Sequence, residues 1–426
     1  MTRLFCNNGS AYSICSVSGH AACHLTKKSV PDRHAMKFSP FLFLCATGLL
    51  AIFSSTISKS PVLPLFAAHL GAGPSGVGLV AAISAFAGVV FSVPAGILAD
   101  RFGKKRLIVA ASLIFASAPF GYLAVTNIWQ LALVRFYHGF ATAIFLPVAM
   151  ALVSSLSSQE RGEKLGWFST STLAGRFMAP VVGGGILGFF SLSSAFGYQV
   201  VYAVCGGAGL ITLLLAIMLP VPEETTQAEQ SWAETFRVFK SVALNRTILL
   251  TCFVEASILF AYGTFETFLP LYAVEHGLSA AQVGVFLSGQ IIVLALTKPI
   301  MGKFSDTHGR RPQIVAGGLL GAACIGSFSL FSSFFPLLLL SITFGLCLSI
   351  VTSATSAFIA DLSSQQARGS AMGLLGSIMD IGHTTGPLVS GVITSSFGYT
   401  QSFLGAAMVL LVVSGLFLFS SRVKSP

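Results

Sequence analysis

Few residues in this chain can do chemistry, and those that can stand in unusual places. Glu255 and Glu266 lie in one long apolar run, eleven residues apart, with Tyr262 between them. At about 3.6 residues per helical turn, that spacing puts both carboxylates within about 20° of one helix face. Asp380 and His383, three apart in another apolar run, can touch on a helix. Arg135 with His138, Arg176 and Lys59 supply the opposite sign in three further runs. A charge at the middle of a bilayer costs at least about 2.5–3.5 kcal/mol, so each needs a partner or a wet cavity. An acid held there can alternate between neutral and charged forms, which is what carrying a proton requires. Glu255 and Asp380, deepest in their runs, are the leading candidates. Glu266 lies nearer a helix end, where water can hold it, and the alternative for each acid is a static buried ion pair across the bundles, for example Asp380 with Arg135. His138 and His383 are able to titrate near neutral pH, but a hydrogen-bonded structural histidine is the expected reading for each. Lys298 is near enough to the end of its run to snorkel, and Arg176 is expected to brace its own helix or pair locally.

The elements that position these groups are helices that cross lipid. Of 426 residues, 54% are hydrophobic and 9% charged, and the mean hydropathy is +0.83. Soluble domains carry about 25% charge, so a soluble enzyme is excluded. A membrane span needs roughly 20 apolar residues, and twelve such runs are present: Ser39–Ser60, Pro74–Leu98, Leu107–Thr126, Trp129–Ser155, Leu165–Phe190, Tyr198–Leu219, Thr247–Leu269, Ala281–Met301, Gln313–Ser333, Phe335–Ala360, Gly369–Ser396 and Gln401–Ser420. An all-α, multi-pass membrane protein is expected.

The net charge of +10 is spread in short clusters between spans, which argues for orientation in a membrane rather than nucleic-acid binding. Arg101, Lys104, Lys105 and Arg106, then Arg161 and Lys164, then Lys303, Arg310 and Arg311, then Arg368 occupy alternate loops, and the loops on the opposite side hold no Lys or Arg. The basic side retains the cytoplasmic loops, which places both termini in the cytoplasm of a cell whose inner membrane holds the protein. The glycosylation-type triplets Asn8-Gly9-Ser10 and Asn245-Arg246-Thr247 fall on that same side and read as chance. The eight cysteines form no CxxC pair and imply no disulfide framework.

Five segments follow: a polar, disordered tail at 1–38, a first six-helix bundle at 39–220, a linker at 221–246, a second bundle at 247–421 and a short tail at 422–426. Met36, just before the first span, is the alternative start of the chain. Cys15, His20, Cys23 and His24 in the tail fit no metal-ligand spacing well, and no metal or cofactor is expected. Trp232, Phe236 and Phe239 give the linker a short amphipathic helix.

A shift of about 206 residues superimposes the two halves. Gly96-Ile97-Leu98-Ala99-Asp100-Arg101-Phe102-Gly103 answers to Gly302-Lys303-Phe304-Ser305-Asp306-Thr307-His308-Gly309, followed by Lys104-Lys105 and Arg310-Arg311 respectively. Gly166, Gly175 and Pro180 answer to Gly373, Gly382 and Pro387, and Pro64 to Pro270. Two bundles related by duplication follow, with the natural place for a solute between them.

On these residues the chain resembles a major facilitator superfamily transporter over 39–420. The loop from Gly96 to Arg106 is similar to the family's signature between its second and third helices, and it recurs at Gly302 to Arg311. Arg135 with Gly139 resembles the family's membrane-embedded arginine motif. Residues Gly175 to Gly184, including Pro180, Gly183 and Gly184, resemble the fifth-helix motif of the drug and metabolite antiporters, with Ala179 where that branch has Gly. The resemblance implies that Asp100 and Asp306 act as gates, Asp100 against the start of the eleventh span near Arg368 and Asp306 against the fifth span near Arg161. It also implies that Arg135 either relays protons indirectly or holds an anionic substrate. Glycines of the fifth and eleventh spans, among them Gly175, Gly382 and Gly386 beside Pro387, are expected to serve close helix packing.

The expected function is proton-coupled efflux, by alternating access, of a small amphipathic or lipophilic compound, by a monomer with no enzymatic activity. Proton-coupled uptake of an organic anion or polar nutrient is the rival, favoured by Arg135, Arg176 and Lys59. A non-transporting receptor or assembly protein on the same scaffold is a third reading, opposed by the embedded charges. An ATP-driven pump is excluded because no phosphate-binding Gly-rich Lys-Ser/Thr loop occurs.

Overall fold

The computed structural model describes residues 39–156, 160–190, 192, 194–220, 244–364 and 368–420; the side chains of 92–97, 100, 101, 161, 369 and 420 lie outside that description. The expected tail, amphipathic linker helix and C-terminal tail therefore fall outside it, as do the side chains of Gly96, Asp100 and Arg101.

Helices α1 (Pro40–Ile57) and α2 (Val62–His69) form the first span; α3 (Pro74–Phe102), α4 (Lys104–Leu123), α5 (Ile128–Ser155), α6 (Arg161–Phe189) and α7 (Ala195–Met218) complete the first half. The second half holds α8 (Arg246–Glu275), α9 (Ala280–His308), α10 (Arg310–Gly326), α11 (Phe334–Leu362), α12 (Arg368–Phe397) and α13 (Tyr399–Ser420). No strand occurs among the described residues. Eleven spans are long and apolar enough to cross a membrane, counting α1 and α2 as one. The remaining long helix, α12, is rich in Gly, Ser and Thr and carries both Asp380 and His383.

Local sequence accounts for where the helices begin and turn. Asn127 and Asn245 cap α5 and α8, each accepting two backbone N–H groups, and Ser279 with Gln282 forms a reciprocal capping box on α9. Asn245 thus has a structural use that the triplet pattern did not suggest. Gly103 and Gly309 join α3 to α4 and α9 to α10 with φ of 90° and 92°, a conformation that side chains resist. The repeated loop needs glycine at both places for this reason.

The first span departs from expectation. It continues beyond Ser60 to His69, and its helix is interrupted between Ile57 and Val62, next to Pro61, which has no N–H to donate. Lys59 sits in that interruption.

Within the first half α1 packs on α6, α3 on α5 and α4 on α7; within the second, α8 packs on α12, α9 on α11 and α10 on α13. The halves meet where α3 crosses α12 and α6 crosses α9. Both crossings lie toward the end of the molecule away from the basic loops, here termed the far end. A Cβ built on Gly78 would lie 2.2 Å from the Pro387 carbonyl oxygen and 3.1 Å from Gly391 Cα, and one on Gly284 would lie 2.3 Å from the Pro180 carbonyl oxygen. Gly184 makes the same approach from the other side, 2.5 Å from the Ala280 oxygen. Gly78 and Gly284, like Pro180 and Pro387, are repeat counterparts, so the two crossings are one contact used twice. Toward the basic loops, Gly162, Gly166, Gly302, Gly373 and Gly376 have nothing within 4 Å of the Cβ position.

Candidate functional site

Between the two halves, just below the far-end crossings, one cluster gathers charges from both bundles. Lys59 Nζ lies 2.7 Å from Glu266 Oε2, and His383 Nε2 lies 3.2 Å from the same oxygen. Lys59 Nζ and His383 Nε2 are 3.3 Å apart. That nitrogen either donates to Glu266 or accepts from Lys59, and its tautomer decides which. Tyr262, one turn before Glu266, stacks on the His383 ring with centroids 5.4 Å apart and 23° between planes. The side chains of Lys59 and His383 keep about a fifth of their surface open, whereas Glu266 is buried.

Of the two readings of Glu266, water at a helix end and an ion pair across the bundles, the structure shows the ion pair. A cation from the opposite bundle compensates it. That cation lies in the break of the first span, between the end of α1 at Ile57 and the start of α2 at Val62.

The alternative pairing of Asp380 with Arg135 is also overturned. Arg135 is 3% exposed, and its guanidinium donates to Ser58 Oγ at 3.2 Å, Tyr122 OH at 3.4 Å and Ser84 Oγ at 3.1 Å. It ties the break in the first span to α3 and α4, while its Nε has no hydrogen-bond partner among the described residues. His138 lies beside it, 3.3 Å from Tyr122 OH and 3.5 Å from Ser58 Oγ.

Asp380 has no side-chain hydrogen bond or ion pair among the described residues; it is half-buried on α12, and a Cβ on Gly88 of α3 would lie 3.6 Å from its Oδ2. Lys59 acts on it electrostatically. Arg176 is exposed and likewise without a partner among the described residues, contrary to the expected local bracing. It lies on α6 beside Phe177, whose carbonyl accepts from Ser288 of α9 at 2.7 Å, so its backbone is at the seam of the two bundles.

Glu255 is set apart, fully buried inside the second bundle. The Thr355 hydroxyl of α11 hydrogen-bonds its Oε2, and Oε1 has no partner among the described residues. Lys298 is exposed on α9, as a snorkelling side chain would be, and makes no ion pair with Glu255 among the described residues. Thr355, a hundred residues away in sequence, carried no signal that could have found it.

At the basic end, Arg310 pairs with Asp306 one turn earlier and with Asp361 of α11 at 3.1 Å. This network lies within the second bundle, and it stands in a structure whose halves meet at the far end instead. Asp361 escapes a reading by repeats because its counterpart is Ser155. The packing glycines sit where a side chain would strike backbone: the Cβ position of Gly175 is 2.2 Å from the Leu49 oxygen, that of Gly382 2.2 Å from the Ala256 oxygen and that of Gly386 2.3 Å from the Phe260 oxygen. Gly183 meets the softer side chains of Val62 and Ile57 at 3.1 and 3.2 Å.

Two helical bundles of one repeated design, with buried charges converging between them, have the construction of a secondary carrier. The chain belongs to the Major Facilitator Superfamily, whose sequence profile matches residues 42–289 and 251–426. An uncharacterised MFS-type transporter of Methanocaldococcus jannaschii is 24% identical over 83% of this chain and 91% of its own. The multi-drug resistance efflux pump PmrA of Streptococcus pneumoniae is 26% identical, covering 82% of this chain and 88% of the pump. The multidrug resistance protein MdtG of Enterobacter lignolyticus is 26% identical over 84% and 87%. A bacterial homologue of the human lysosomal transporter Spinster, solved inward-facing and unoccupied, shares the fold with a TM-score of 0.78 at 17% identity, over 90% of this chain and 96% of that one.

Proposed function

We propose that this transporter couples proton movement to the export of small amphipathic compounds, and that Glu255 carries the proton. The observation behind this is the hydrogen bonding at Glu255. Thr355 Oγ1 lies within reach of Glu255 Oε2 and also 2.9 Å from the Val351 carbonyl oxygen, yet a hydroxyl has one proton to give. With Glu255 neutral, the carboxyl O–H donates to Thr355 and Thr355 donates to Val351. With Glu255 charged, Thr355 must turn toward it, and the unpartnered Oε1 leaves Lys298 as the nearby compensating charge. Two protonation states thus have two hydrogen-bond arrangements, the property a coupling acid needs.

Export is supported by the two multidrug relatives and by the fifth-helix motif around Gly175 and Pro180. With the basic loops in the cytoplasm, the far end faces outward, and the crossings at Gly78 and Gly284 close it. Of the three cations favouring uptake of an anion, Arg135 is engaged by hydroxyls and Lys59 by Glu266, which leaves Arg176.

The test is transport in proteoliposomes with an imposed pH gradient. Glu255→Gln is expected to lose gradient-driven accumulation while keeping counterflow exchange, which needs no net proton movement. Full accumulation by this variant would place the coupling elsewhere, with Asp380 the next candidate and His383 after it.

A further inference from the structure

Embedded charge is expensive, so the charges left without partners are the informative ones. Lys59, Glu266 and His383 satisfy one another, Arg135 is held by three hydroxyls, Glu255 takes a hydrogen bond from Thr355, and Lys298 lies exposed near the end of its helix. Among the described residues of the spans Arg176 and Asp380 remain, one on each bundle, with opposite sign.

Neighbouring contacts place both residues. The α6 backbone around Arg176 is wedged between α1 of its own bundle and α9 of the other: the Cβ position of Gly175 is 2.2 Å from the Leu49 oxygen of α1, and the Phe177 carbonyl accepts a hydrogen bond from Ser288 of α9 at 2.7 Å. Arg176 lies exposed on α6 between these two contacts. Asp380 lies one turn before His383 on α12, against Gly88 of α3, which leaves room beside the carboxylate that any side chain would occupy. The stacked Tyr262 and His383 rings offer a flat surface at the same level.

We propose that the space between the bundles binds a zwitterion, its cationic group on Asp380, its anionic group on Arg176 and its apolar body against the Tyr262–His383 ring pair. The proposal rests on the carrier reading above, in which Glu255 holds the proton and Asp380 is left for the ligand. A ligand with one charge satisfies one wall and leaves the other charge without a partner, and sites built on polar pairing discriminate against such analogues.

The test uses the purified full chain and four probes on one ring: a para-(aminomethyl)phenylpropionate, the matching benzylamine, the matching phenylpropionate and a neutral amide-ester. Equilibrium binding is expected to be at least about tenfold tighter for the zwitterion than for either singly charged probe. Arg176→Gln is expected to erase its advantage over the benzylamine, Arg176→Lys to keep part of it, and Asp380→Asn to erase its advantage over the phenylpropionate. Thermal unfolding close to that of the unaltered chain shows that the variants are folded. A zwitterion that binds no tighter than the better singly charged probe, or an Arg176→Gln effect equal on all four, overturns the proposal. Benzylamine accumulation under a pH gradient that Glu255→Gln abolishes, without any preference for the zwitterion, would retain the carrier reading and sink this one.

Discussion

Lys59 and Glu266 occupy nearly equivalent places in the two repeats, yet they carry opposite charge and meet at 2.7 Å. The pair joins the first span of one bundle to α8 of the other, so opening the far end must break it. Its partial exposure sets its worth between the roughly 0–1 kcal/mol of a surface pair and the roughly 3–5 kcal/mol lost when one partner of a buried pair is removed. Lys59→Gln and Glu266→Gln are each expected to loosen the far end, read as faster reaction of a cysteine placed at position 75 with an impermeant thiol reagent. The exchange Lys59→Glu with Glu266→Lys is expected to restore part of the slow labelling, because it rebuilds the attraction with its direction reversed. Equal labelling in all of these proteins would deny the pair any part in closure.

Helices approach at the far end because glycines allow backbone to touch backbone. The Cβ positions of Gly78 and Gly284 collide with carbonyl oxygens that cannot rotate away, whereas Gly185 has nothing within 4 Å. Gly78→Val and Gly284→Val are accordingly expected to push the bundles apart at this end and to slow turnover severalfold or more, with Gly185→Ala close to neutral. Paired-label distances across the far end check this, and an unchanged distance in both valine variants would refute it. The connecting loops carry a second element-scale expectation. Gly309, at φ of 92°, sits where a side chain costs about 1–3 kcal/mol, so Gly309→Ala is expected to weaken the turn between α9 and α10. Asp100→Asn, which keeps shape and removes charge beside the equivalent turn, is expected to slow turnover while insertion proceeds, with transport and membrane yield as the readouts.

At the scale of the whole molecule, the asymmetry of Lys and Arg is expected to orient the chain with its basic loops in the cytoplasm. A single cysteine near Gly73 or Asn127 is expected to label from outside intact cells, and one near Lys104 only after the membrane is opened. The reverse pattern would invert the proposed direction of every step above.

Spans and repeat are legible in the amino-acid sequence because both are local properties. An apolar run reports on itself, and a loop such as Gly302 to Arg311 matches its twin residue by residue. The cost of charge in lipid likewise marks Glu255, Glu266, Asp380, Arg135 and Lys59 as functional candidates from their positions alone. Their partners are not legible there, since a contact between Lys59 and Glu266, or between Glu255 and Thr355, depends on how helices far apart in sequence are rotated and crossed. The break after Ile57 shows the limit: apolar content is blind to an interrupted helix, yet Lys59, the cation that meets Glu266 of the other bundle, sits in that interruption. Sequence determined which charges the membrane must tolerate; tertiary structure alone decided which of them compensate one another and which, Arg176 and Asp380, are left without a partner among the described residues.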